Sequence, residues 1–129
     1  MTDVLRYTQS LAECAEVDCR MSTTKYHREQ MNRGFDVEYH DKRLKEIADG
    51  TYDFKCKFEI VTGRKYYKVV YNDAGHRSVH CFVDKVTGDV YKSASWNAPA
   101  KGVRYNLLNE DSRELCYSRV DWAGGYLYA

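Results

Sequence analysis

Residues 52–60 read Tyr-Asp-Phe-Lys-Cys-Lys-Phe-Glu-Ile, an unbroken alternation of apolar and charged side chains. Successive side chains of an extended chain point to opposite faces. Tyr52, Phe54, Cys56, Phe58 and Ile60 therefore share one face, and Asp53, Lys55, Lys57 and Glu59 share the other. That pattern predicts a strand with one buried and one charged face.

Downstream, turn chemistry and short apolar runs take turns. Thr62-Gly63-Arg64 reverses the chain, and residues 65–71 form an aromatic, β-branched second strand. Asn72-Asp73-Ala74-Gly75 is dense turn sequence, followed by a third strand over 78–84. Lys85-Val86-Thr87-Gly88 reads as a tight hairpin loop with Gly88 at a positive-φ position, and 89–92 is a fourth strand. Connections this short require antiparallel neighbours. Residues 93–102 hold the only proline, Pro99, and read as a loop; 103–108 is a short strand or an extended segment. Asp111 or Ser112 is placed to cap a short helix through Cys116-Tyr117. The tail from Trp122 to Ala129 is too apolar for a loose end, and is expected to pack on the domain or on a second copy.

Upstream the period changes. Leu5, Leu11, Ala12, Ala15 and Cys19 recur at helical spacing, with Thr2 and Asp3 able to cap the start. Met21-Ser22-Thr23-Thr24 is either a break or a polar face within one long helix, and Gly34-Phe35 is the next weak point. Val37, His40, Leu44 and Ile47 then form one stripe, with Asp36 as N-cap and Asp49-Gly50 as a stop. The expected fold is α+β in one domain over 1–129. N-terminal helices (1–50) pack on a four- to five-stranded antiparallel sheet with a basic aromatic loop (51–108), followed by a short helix and apolar tail (109–129).

Charge is nearly balanced, with 20 basic against 19 acidic side chains, but it is unevenly placed. The net is −3 over 1–54, +6 over 55–104 and −2 over 105–129. The sheet region thus suits an anionic partner, or carries lysines for solubility. The first twenty residues hold Asp3, Glu13, Glu16 and Asp18 and no long apolar run, so no secretion signal is read there. No membrane span is expected, since none of the chain approaches about 18 consecutive apolar residues. Five cysteines without a C-x-x-C pair read as buried thiols of a cytoplasmic protein.

Several chemistries lack their residues. His76, His80 and Cys81 lie on a strand, where residues four apart do not converge, so no metal site is expected. Gly124-Gly125 lacks the Lys-Ser/Thr of a phosphate loop, and no nucleophile motif occurs. No cofactor is expected. An acid–base reading takes its cue from layout: helices before a four-stranded sheet resemble small microbial-type ribonucleases, with His80, Arg77, Arg64 and Glu59 on strands or strand ends.

The candidate working surface is the stretch of residues 82–108, and within it residues 91–106 read Tyr-Lys-Ser-Ala-Ser-Trp-Asn-Ala-Pro-Ala-Lys-Gly-Val-Arg-Tyr-Asn. The expected ligand-binding residues are Lys92, Ser95, Trp96, Asn97, Lys101, Arg104 and Asn106. Trp96 and Tyr105 can stack on a planar base. Lys92, Lys101 and Arg104 can neutralise phosphate, Arg104 through a bidentate fork. Ser95, Asn97 and Asn106 can hydrogen-bond a base edge or sugar. Ala98, Ala100 and Gly102 would let a ligand approach the backbone. The competing reading has Trp96 plugging the core.

Phe82-Val83-Asp84-Lys85, Thr87-Gly88-Asp89-Val90-Tyr91-Lys92, Ala94-Ser95-Trp96 and Ala98-Pro99-Ala100-Lys101, with Arg104 and Asn106, together resemble a segment of small uncharacterised tailed-bacteriophage proteins. The resemblance implies a setting, the cytoplasm of a bacterial host, and a role in host takeover or anti-defence by binding. The expected partner is a nucleotide-like or other anionic ligand, with a host protein as the alternative. The apolar tail and many tyrosines favour a homo-oligomer.

Overall fold

In the computed structural model, which describes residues 3–128, the N-terminal spacing produces one continuous helix, α1 (Asp3–Asn32). The Met21–Thr24 stretch does not break it. The Thr23 and Thr24 hydroxyls donate to the carbonyls of Cys19 and Arg20 one turn back, so the polar residues bond within the helix. Val4, Thr8, Leu11, Ala12, Ala15 and Cys19 form its buried stripe. Of the expected cap, Thr2 lies outside the described residues.

Gly34, at φ 79°, ends α1 and permits the reversal into α2 (Val37–Asp49). Asp36 occupies the expected cap position, but in a left-handed conformation and without a side-chain bond. Gly50 closes α2 with its N–H shared between Glu46 and Ile47 carbonyls. Of the expected stripe only His40 is buried; Val37 is exposed.

Five strands follow in sequence order as an antiparallel meander: β1 (Cys56–Thr62), β2 (Tyr66–Asp73), β3 (His76–Asp84), β4 (Asp89–Lys92) and β5 (Tyr105–Asn106). The fold is α+β as expected. β1 starts at Cys56 rather than Tyr52, because its partner β2 ends where Asp73 faces Cys56. Tyr52 and Phe54 still pack inward and Asp53 and Lys55 outward, so the alternation reports burial without pairing. Ala74 and Gly75 make a two-residue turn with φ of 51° and 95°. Positive φ at both positions gives the twist that antiparallel strands need, and it starts β3 at His76. Between β2 and β3 the register slips: Val69 faces Cys81 and Val70 faces Val79, which leaves His80 as the extra residue of a bulge.

The helical face of the sheet supplies Val69, Cys81, Val83 and Val90 to a core shared with Leu11, Leu107, Cys116 and Leu127. α3 (Glu110–Arg119) is capped by Asn109, whose side chain accepts the Ser112 N–H. Neither Asp111 nor Ser112 is the cap; the Ser112 hydroxyl instead accepts the Asn106 N–H at the outer edge of β5. At the other edge, the Phe58 N–H of β1 is taken by the Glu16 carboxylate of α1. The tail packs on its own domain: Leu127 is 1% exposed, and the Trp122 N–H donates to Asp18.

The cysteine expectation is corrected in part. Cys19 and Cys56 form a disulfide that ties α1 to β1, while Cys14, Cys81 and Cys116 are thiols. Burial pushes the Cys116 thiol up to about 12. Among the described residues no helix is long and apolar enough to cross a membrane.

Candidate functional site

The loop after β4 is built on its own backbone. Ser93 bridges Pro99, the N–H groups of Ala94 and Ser95 share the Ala98 carbonyl, and Ala100 donates to Lys92. This closed loop carries Trp96 over the sheet face that no helix covers. The Trp96 ring lies 4.4 Å from Lys68 Nζ and 5.4 Å from the Arg77 guanidinium carbon. At 41% exposure it does not plug the core, and its attraction for cations is already used within the chain. Ser95, Asn97 and Lys101 are exposed around it.

Asn106 is committed to structure. Its amide donates to Thr87 O and Asp89 Oδ1, and its carbonyl accepts from the N–H groups of Leu108 and Asn109. It pins β5 to the β3–β4 turn and sets up the start of α3.

Lys92 and Arg104 both reach toward Tyr128 in the tail, but from two different cavities. Lys92 Nζ lies 4.1 Å from the Tyr128 ring. Tyr128 and Arg104 line an open cleft of about 920 Å³ between β5, α3 and the tail. Ser112, Leu115 and Arg119 contribute one face of α3, and Tyr126 forms part of the wall. Arg104 Nε is buried without a hydrogen-bond partner. Gly102, at φ 97°, explains how the side chain fits: a Cβ there would sit 3.0 Å from Arg104 Nη1. The glycine therefore makes room for the guanidinium rather than for a ligand.

The cleft also carries Asp111 and Asp121. Asp121 is engaged, accepting from the N–H groups of Gly125 and Tyr126. Neither Arg104 nor Arg119 forms an ion pair among the described residues, so two guanidiniums are available to an anion. Arg119 was missed by the sequence reading. Its signal was the spacing of Ser112, Leu115 and Arg119, which share one helix face at i, i+3 and i+7.

The residues of the acid–base reading are divided by the sheet. Glu59 and Arg77 are ion-paired at 3.3 Å on the open face. His80 sits on the covered face, its Nε2 2.7 Å from Tyr126 Oη. Burial holds His80 down at about 4, against the opposing pull of Asp121, so the ring is neutral at pH 7. His76 is exposed beside the β2–β3 turn, and Cys81 is in the core.

A family model described as a family of unknown function, DUF7717, matches residues 1–129, and the chain belongs to that family. No curated protein and no solved structure matches it.

Proposed function

We propose that this protein is a non-enzymatic binding protein that captures a phosphate-bearing ligand, such as a nucleotide, in the cleft between β5, α3 and the tail. The observation that carries this reading is the pair of unneutralised guanidiniums, Arg104 and Arg119, on one open cavity of about 920 Å³. A guanidinium presents parallel N–H donors that match two phosphate oxygens, and two of them can hold one phosphate from two sides. Tyr128 offers an exposed ring for a planar base, with Lys92 on its face adding positive field. Asp111, exposed at the rim, can accept from a sugar hydroxyl or an exocyclic amine.

The resemblance of residues 82–106 to small tailed-phage proteins supports a host-takeover or anti-defence setting. There, sequestering a nucleotide signal requires affinity and no turnover. The test is a thermal-shift and calorimetric panel of nucleotides, pyrophosphate and inorganic phosphate. Binding is expected, and Arg104→Ala or Arg119→Ala should each weaken it by about tenfold or more, as for loss of a charged hydrogen bond. The absence of binding to every phosphate-bearing compound would overturn the reading. RNA cleavage lost in His80→Ala would replace binding with catalysis.

A further inference from the structure

A second cavity, of about 450 Å³, opens between α1, α2, the segment before β1, the adjoining ends of β1 and β2, and the tail, where Trp122 lines it next to Asp121 of the cleft. Its walls are aromatic: Tyr26, Tyr39, Tyr52, Tyr71 and Trp122, with His27. We propose that this cavity is a binding site for an organic cation, an alkylated ammonium or guanidinium group.

Three observations carry the assignment. The first is the concentration of aromatic rings. Aromatic rings present negative potential above their planes, and several around one opening form a cage for a cation that sheds water easily. The Tyr39 ring is engaged by the Arg43 guanidinium at 5.1 Å within the chain, which leaves Tyr26, Tyr52, Tyr71 and Trp122 to meet a ligand.

The second is charge. Lys55 lines the cavity, but its ammonium is bound to Asp53 at 2.7 Å. Arg43 is neutralised by Glu46 at 2.8 Å. Asp73, also in the lining, has no ion-pair partner among the described residues. The cavity therefore carries an available carboxylate and no uncompensated lining cation. Residues 1–54, which supply most of the wall, carry a net −3. This is the reverse of the arginine cleft.

The third is rigidity. His27 Nδ1 and His40 Nδ1 lie 2.8 Å apart, so one ring donates and the other accepts. Tyr52 Oη stands 3.3 Å from the other nitrogen of His27. Edge contacts of Tyr26 with His40 and of Tyr39 with His27 hold those two rings, and Tyr71 packs on Trp122 at 5.7 Å between centroids. The Cys19–Cys56 disulfide holds the wall where α1 meets β1. Burial, with His40 and Arg43 beside it, keeps His27 below its ordinary range, which favours the neutral ring. A cage held this way loses little freedom when filled.

The experiment uses the intact protein carrying Trp96→Phe, which leaves Trp122 as the only tryptophan reporter. Choline and tetramethylammonium are titrated against sodium at matched ionic strength while Trp122 fluorescence is followed. A saturable change is expected with both, and none with sodium. Choline should bind about tenfold tighter than its neutral analogue, in which carbon replaces the nitrogen. Tyr26→Ala and Asp73→Asn should each weaken choline several-fold; Tyr26 is 55% exposed, so its truncation spares the fold. Arg104→Ala should leave choline binding unchanged, which separates this site from the cleft. Equal affinity for choline and the neutral analogue would overturn the proposal, as would a choline affinity unchanged in both Tyr26→Ala and Asp73→Asn, or the absence of any saturable response.

Discussion

The two cavities draw on a similar set of residues and arrive at opposite preferences. Each has tyrosines, at least one aspartate and at least one basic side chain in its lining. In the cleft, Asp121 is spent on backbone N–H groups, which among the described residues leaves two unpaired guanidiniums, Arg104 and Arg119, against one unpaired carboxylate, Asp111. In the aromatic cavity, Lys55 is spent on Asp53 while Asp73 goes unpaired. Composition would rank the two sites as equals. What separates them is which charges the fold has already neutralised, because a paired charge offers a ligand little.

The comparison can be broken at one end, at both, or at the other. The largest effect is expected at the aromatic cavity. Cys19 and Cys56 are 37 residues apart, and opening a loop of that length costs about 4 kcal/mol by chain entropy. Paired Cys19→Ser and Cys56→Ser substitutions should lower the urea midpoint accordingly. They should also weaken choline binding more than phosphate binding, because the bridge borders only the aromatic site. Equal loss at both sites would show that the cavities are not independent.

Acid should weaken both together. The tail links them: Tyr126 borders the cleft, Trp122 borders the aromatic cavity, and His80 holds Tyr126 from behind. His80 binds a proton near 6.5 when unfolded and only near 4 when folded. Below 6.5 the unfolded chain takes up the proton first, so stability is lost as pH falls from 6.5 toward 4. The loss amounts to about 3 kcal/mol. His27, also held below its ordinary range by burial, contributes with the same sign. Thermal melts across that window should show the slope, and His80→Gln should flatten it. A slope unchanged in His80→Gln would assign the acid sensitivity to other groups.

The smallest effect isolates the cleft. Asn109→Ala removes the cap of α3 and should cost about 1 kcal/mol. Loosening the helix that carries Ser112 and Arg119 should reduce phosphate binding and leave choline binding intact.

How much of this was legible follows from the range of each interaction. The hairpins were readable because Ala74-Gly75 and Gly88 carry their turn geometry locally. Gly50 likewise announced the end of α2. The cap of α3 was misplaced by two or three residues, since Asn109, Asp111 and Ser112 are all plausible by type and only the observed bond decides. The Cys19–Cys56 bridge joins a helix to a strand, and no spacing rule reaches that far. The candidate binding stretch was divided by the sheet: Trp96 turned onto the open face, Lys92 and Arg104 reached the tail, and Asn106 went into the frame. Composition could nominate these residues, but it could not tell that a loop leaving an edge strand would send them to different faces.

The Glu16 and Ser112 side chains that meet the outermost strands have a consequence for assembly. A sheet grows by offering unpaired N–H groups to another chain. At β1 an incoming strand must first displace Glu16 from Phe58, and at β5 it must displace Ser112 from Asn106. Five strands in sequence order leave two open flanks, and here each is fitted with a polar stopper from a different helix. Ribbon-to-ribbon polymerisation is thereby disfavoured at both ends, and partners are directed to the cavities and the exposed sheet surface.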